Sequence, residues 1–347
     1  MVAEYKEVAR SSQDIISELI DRRLIVSDRS IAEAFIDEVG YHRLKGYFPP
    51  FQRQDRDGHA LDNKQFKNGV KLEDIQRLYE WDWKFRLTFL DQLGRLEIRF
   101  RASLVRLIQG KDGLGYLDPA ILGSGVLNAA SVAEQGEFDN PQMDESGEAL
   151  TDVLSNPFLD LINRLVSEFR DRRKYPDAQY FFSTYGRNLP IWIIMEHCSF
   201  SDLLKIYRCL NLELQLEFAK EYTNAEYADY ALSIDDIQGF LTLLTWVRNG
   251  CAHHERVWDR VFEWSKNPGG DYFDDWDAFK RMYGLALLAI FLDKNRETQD
   301  DFRNKMYDLL SEIVAMPFVN ENLMGVPHNW QSHPAWQGIQ VAEFQDR

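Results

Sequence analysis

Cysteine is scarce in this chain. Cys198, Cys209 and Cys251 are scattered through 347 residues, with an odd count and no CxxC pair. Neither a disulfide framework nor a zinc ribbon is signalled, and a reducing cytoplasm is the expected home. Long apolar runs are missing too. The longest, Leu285 to Leu292, falls well short of the roughly 18 to 20 residues that a spanning helix needs, and no charged-then-apolar signal pattern opens the chain, so no membrane insertion is expected. Hairpin turn signals and sustained apolar–polar alternation are absent, which leaves a mostly helical architecture. Bases are outnumbered by acids, 40 Lys+Arg against 56 Asp+Glu, and the net charge of −16 argues against broad nucleic-acid binding.

What is present describes a globular protein. A content of 45% hydrophobic and 13% aromatic residues excludes general disorder and can fill a large core, and residues 1–347 read as a single helical domain. The acidity is uneven. Residues 1–110 hold 19 bases and 18 acids, whereas 111–160 hold one base and ten acids. The stretch 111–156 also collects glycines and the prolines 119 and 141, so it reads as an acidic insertion or flexible loop within that domain. A neutral or basic groove elsewhere stays open.

Helical spacing recurs along the chain. Short helices are expected over Ser12 to Ile20 and over Ser30 to Val39, the second with Ile31, Ala34, Phe35 and Glu38 at helical spacing, joined by a linker from Leu24 to Asp28. Leu72 to Ile108 is the longest tract, with a kink expected near Gly94 and with Leu78, Trp81, Phe85, Phe89, Leu93, Leu96 and Phe100 at threes and fours. Its charges, Asp82, Arg86, Arg95, Glu97, Arg99 and Arg101, read mostly as a solvated face, with one acid available to orient a basic motif elsewhere. Phe158 to Arg170 resumes the pattern. Pro190 suits a helix start, Trp192 to Cys198 should be buried, and Ser201 should cap a helix to Leu210. Phe273 to Leu292 and Asp301 to Val314 add two more, before an irregular tail carrying Trp330 and Trp336.

The densest chemistry lies between Arg248 and Arg260, RNGCAHHERVWDR. Ser233 and Asp236 resemble a capping box, so a helix should start near Ile234 and carry Ile237, Phe240, Leu241, Leu244 and Val247 on its apolar face. If it continues past Gly250, then Asn249, His253 and Arg256 share one face, with Arg248 beside it, and a cation, an amide and an imidazole converge on one anion. Gly250 is then an interior glycine at a close helix approach. The bland reading ends the helix there, with its Arg and His residues merely complementing the dipole.

Three other clusters are weaker. In GYHRLKGYFPPF, Gly40 to Phe51, the rings of Tyr41, Tyr47, Phe48 and Phe51 suit base stacking and His42, Arg43 and Lys45 suit phosphates, against the commoner reading of a core-packing corner. RDRRK, Arg170 to Lys174, is either a solvated helix end or a phosphate patch built on Arg172 and Arg173. His197, beside Glu196 in an apolar run, reads as a satisfied core histidine.

RNGCAHHERVWDR resembles the RN-x-x-AHH-x-R-x-W signature of the Abi-like family, the AbiD/AbiF type bacterial abortive-infection proteins. VGYHRLKGYFPPF, RLYEWDWKFRLTFLDQLGRLEIRFR and LPIWIIMEHCSFSDLLKIY resemble further family blocks in family order, over roughly residues 15 to 262, with MGVPHNW a weaker match. Asp259, where relatives often have Asn, and Ser201, where they have Gly, are departures.

The resemblance implies an all-α, HEPN-like helical bundle with additional helices. It implies a metal-independent RNase site made by an arginine and a histidine four to six residues on, here Arg248 and His253, with Asn249 following the arginine. His254 also fits the spacing, as do Arg53 and His59, which fall in a polar Asp-Gly loop. On this reading the RNA 2′-hydroxyl is the nucleophile, His253 the general acid or base, and Arg248 the phosphate ligand, with Asn249 positioning and His254 and Arg256 supporting. No metal or cofactor is expected. Partners implied are RNA and a second copy completing the site, with Trp246 and Trp258 as anchors, and restraint by a noncoding RNA or antitoxin stays open. The competing class is a noncatalytic RNA-binding or protein-interaction module.

Overall fold

Leu72–Ile108, 37 residues, is one helix that runs unbroken through Gly94 in the computed structural model of the chain. The structure describes residues 10–54, 61, 63–111, 113–118, 120–121, 157–168, 175–186, 189–223, 232–262, 280–337 and 339. The acidic stretch 111–156 lies almost wholly outside these residues, as do Arg172, Arg173, His59 and the expected helix start at Phe273. Ahead of the long helix, α4, come α1 (Ser12–Asp21), α2 (Arg29–Val39) and α3 (Tyr41–Leu44). After it come α5 (Pro157–Glu168), α6 (Pro176–Tyr185), α7 (Ile191–Glu196), α8 (Phe200–Cys209), α9 (Leu212–Tyr222), α10 (Ile234–Ala252), α11 (Met282–Leu292) and α12 (Arg296–Val314). Among the described residues there is no strand; isolated bridges pair Ile25 with Lys71 and Gln52 with Phe66. The all-α expectation holds. None of these helices is long and apolar enough to cross a membrane.

α4 is the axis because apolar residues at threes and fours give it a buried stripe from Leu78 to Leu104, against which α7 to α12 pack. α11 is apolar on every side and buried at every position, as a helix with no polar face must be. Trp81 donates to the Leu309 carbonyl at 2.7 Å and ties α4 to α12. Asp293, buried between α11 and α12, accepts from Gln92 at 2.8 Å and pairs with Arg99, so α4 also holds the α11–α12 corner.

Local expectations were met unevenly. α2 buries Ala32 and Ile36 and leaves Ile31 exposed, one position off the expected face, because its packing against α1 and α3 fixes its rotation. Ser199, not Ser201, caps α8, exchanging bonds with Asp202 three residues on. Trp192 is exposed while Ile191, Ile194 and Met195 are buried, so that run is one-sided. His197 is half-buried and packs its ring edge-on to Tyr175 at 4.7 Å.

Candidate active site at the end of α10

Ser233 and Asp236 form the expected capping box, with Asp236 N–H donating to Ser233 Oγ at 3.2 Å and Ser233 N–H to Asp236 Oδ2 at 2.8 Å. From that start the helix buries Ile237, Phe240, Leu241, Leu244 and Val247, which turns Trp246, Asn249 and the half-exposed Arg248 outward on its last turns. Gly250 is interior. A Cβ there would meet Arg260 Nη1 at 3.1 Å and Glu255 Oε2 at 3.4 Å, so it makes room for the Arg260–Glu255 ion pair and not for another helix.

The helix stops two residues later, which corrects the expectation that Arg256 shares its face. His253 is the C-cap and His254 sits at φ +58°, left-handed, in a Schellman turn: His254 N–H donates to Cys251 O at 3.1 Å and Glu255 N–H to Gly250 O at 2.8 Å. Glycine usually fills that position, and a histidine there costs about 1 to 2 kcal/mol.

Two buried charges on α4 grip this turn. Arg86 Nη1 donates to the His254 carbonyl at 2.8 Å and to that of Glu255 at 3.0 Å. Asp82 Oδ1 accepts from Val257 N–H at 3.2 Å, and its Oδ2 accepts from the Tyr47 hydroxyl at 2.6 Å. Arg86 Nε lies 3.7 Å from Asp82 Oδ2. Burial pushes the Asp82 carboxyl up, opposed by Tyr47, by Arg86 and by the backbone N–H groups of Val257 and Trp258. Both side chains are inside the protein, so the solvated-face reading of α4 fails at these two positions. Charges at helical spacing carry no mark of what will dock on them; the available signal was only that they flank Trp83 and Phe85.

The two histidines part company here. His254 lies flat against Trp83, 5.4 Å between centroids and 5° between planes, whereas His253, exposed like it, donates its backbone N–H to Asn249 O at 2.9 Å and has no side-chain hydrogen bond among the described residues. Arg248 Nε is 3.9 Å from Glu97 Oε2, whose other oxygen accepts from Arg101 at 3.0 Å, and its Nη1 reaches Asn249 Oδ1 at 3.4 Å. Glu97 is the acid of α4 that meets the motif's arginine. Arg256 instead donates to the Gly46 carbonyl and pairs with Asp259 at 3.0 Å, making it a strut to the 41–47 segment.

That segment is a packing corner. Tyr47, Phe48 and Phe51 are buried, which overturns their reading as base-stacking rings. Arg43 turns inward to the His254 carbonyl with its guanidinium over Tyr79, while His42 and Lys45 stay exposed. Trp258, expected as an interface anchor, is fully buried; Trp246 is exposed. No three His, Cys, Asp or Glu side chains gather as a metal-ligand group among the described residues.

Residues 34–259, well over half of the chain, match the model of the family described as Abi-like protein. The match runs from within α2 to the end of the turn just described. Comparison with curated proteins and with solved structures returned no match.

Proposed function

The chain belongs to the Abi-like protein family, and from that premise we propose an abortive-infection, phage-defence protein that acts as a metal-independent, HEPN-type endoribonuclease. The observation that carries this reading is the presentation of Arg248 and His253 at the exposed end of α10, with the arginine 3.9 Å from Glu97 and the neighbouring His254 stacked on Trp83. The guanidinium binds the scissile phosphate and offsets the charge that builds on it. The His253 imidazole removes the proton from the RNA 2′-hydroxyl or returns one to the leaving 5′-oxygen, a role typically worth about 10² to 10⁴ in rate. Asn249, exposed beside Arg248, positions substrate. DNA lacks the nucleophile and resists.

A second copy completes the site. Trp83, Leu87, Leu90, Gly94 and Ile98 fall on one face of α4, alongside Glu97 and the motif, and all are at least partly exposed. An apolar stripe of this kind marks an interaction surface. Gly94 supports close approach of another helix: a Cβ there would meet nothing within 4 Å, so the chain's own packing does not require glycine. Trp246, exposed on α10, extends the surface.

The test compares wild type and His253→Ala on labelled RNA. Cleavage lost with binding retained supports the enzyme; equal cleavage by both refutes it, and binding without cleavage by the wild type favours the noncatalytic module. Light scattering of the active protein should give a dimer, and a fully active monomer contradicts the shared site.

A further inference from the structure

We propose that Asp82 and Arg86, paired with each other and with Tyr47 bonded to Asp82, are positioning residues for His253 and form a clamp whose task is to fix the turn that presents the imidazole. This deepens the nuclease reading and rests on it.

The clamp engages three backbone groups within four residues of His253. Arg86 takes the carbonyls of 254 and 255, and Asp82 takes the N–H of 257. Arg43 adds a second donor to the 254 carbonyl. Nothing about ending a helix demands this, since a glycine at the left-handed position terminates one with no buried charge. Here a histidine occupies that position, and two ionic side chains are buried to hold it.

Arg86 is also poorly used as a stabiliser. Its Nε and Nη2 have no hydrogen-bond partner among the described residues, so a fully buried guanidinium makes its bonds through Nη1 alone. A buried ion pair that leaves donors unmet is weak evidence for stability, and apolar residues of similar volume often serve a core as well or better. What apolar residues cannot do is hold two successive carbonyls in one orientation. With those carbonyls fixed, the ring of 254 is laid on Trp83 and 253, one residue earlier, is left exposed. The same α4 that supplies Glu97 to the arginine thus supplies the frame of the histidine, and the two halves of the pair share one rigid reference.

The experiment uses the full chain as Arg86→Met, Arg86→Lys and Tyr47→Phe. Cleavage of labelled RNA is measured as kcat and KM, and the side-chain proton resonances of His254 are measured by NMR. Stacking on Trp83 shifts those protons upfield in the wild type. In Arg86→Met the upfield shift should collapse and kcat should fall at least tenfold at an unchanged KM, because Arg248 still binds phosphate. Added guanidinium should restore part of both. Tyr47→Phe, which loses one hydroxyl and no volume, should show a smaller kcat loss in the same direction.

A folded Arg86→Met with wild-type kcat and an intact shift overturns the clamp, as does a loss confined to KM. Should Arg86→Met not fold, Arg86→Lys and Tyr47→Phe decide by the same two readings. Should the wild type cut no RNA, the nuclease reading fails on its own, and the NMR shift alone still decides the clamp: its collapse upholds it and its persistence overturns it.

Discussion

Replacing Gly94 by alanine should stabilise the monomer and weaken its association. Gly94 sits inside a 37-residue helix, far from either end, and a Cβ added there meets nothing within 4 Å. No clash offsets the gain in helix propensity, which is about 1 kcal/mol for glycine to alanine at an exposed interior site. α4 packs against α7 to α12, so it unfolds only together with those helices and the gain appears in the stability of the bundle they form. At roughly 2.1 cal/mol/K per residue over the chain, 1 kcal/mol raises Tm by about 1.4 °C. The assay is thermal unfolding of wild type and variant at a dilution where both are monomeric. A second series by light scattering follows association, which the new methyl group should weaken if a second copy's helix docks at Gly94. A lowered monomer Tm refutes the openness of the site, and unchanged association places the contact between copies elsewhere.

The remaining expectations are narrower. His254→Gly relaxes the left-handed turn and should leave Tm unchanged or slightly raised, with far less loss of cleavage than His253→Ala; equal losses would return His254 to the chemistry. The thiols of Cys198, Cys209 and Cys251 are pushed up by burial to about 12, about 11 and about 12. At pH 8 the thiolate fraction is on the order of one in a thousand or less, so the native protein should resist a disulfide reagent until denaturant releases three thiols. Rapid labelling of the folded chain contradicts their burial.

Much of the fold could be read from periodicity, and the reasons are local. Helices α4 and α10 announce themselves because their apolar residues recur every three or four positions and because Ser233 and Asp236 are close enough in sequence to cap one another. The motif was legible for the same reason: Arg248, Asn249 and His253 are near neighbours. The clamp was not. Asp82 and Arg86 are separated from Val257 and His254 by about 170 positions, and a charge on an amphipathic helix looks solvated until a backbone turn docks on it. The helix end was hidden as well, since the left-handed residue is a histidine where glycine is the usual signal, and Gly250, which looks like that signal, lies inside the helix. Arg256 was misplaced as a result: one continued turn puts it beside His253, and the actual stop sends it to Gly46.

If Arg248 and His253 cut RNA through its own 2′-hydroxyl, the chemistry of the cut ends records it. The protein is incubated with a defined RNA in excess EDTA, and with the same RNA carrying one 2′-deoxy residue at the scissile position. Cleavage should survive EDTA, leave a 2′,3′-cyclic phosphate upstream and a 5′-hydroxyl downstream, and stop at the deoxy residue. Cleavage that needs a divalent ion, leaves a 5′-phosphate and tolerates the deoxy substitution would contradict it, since that is the outcome of water attack at a metal-dependent site.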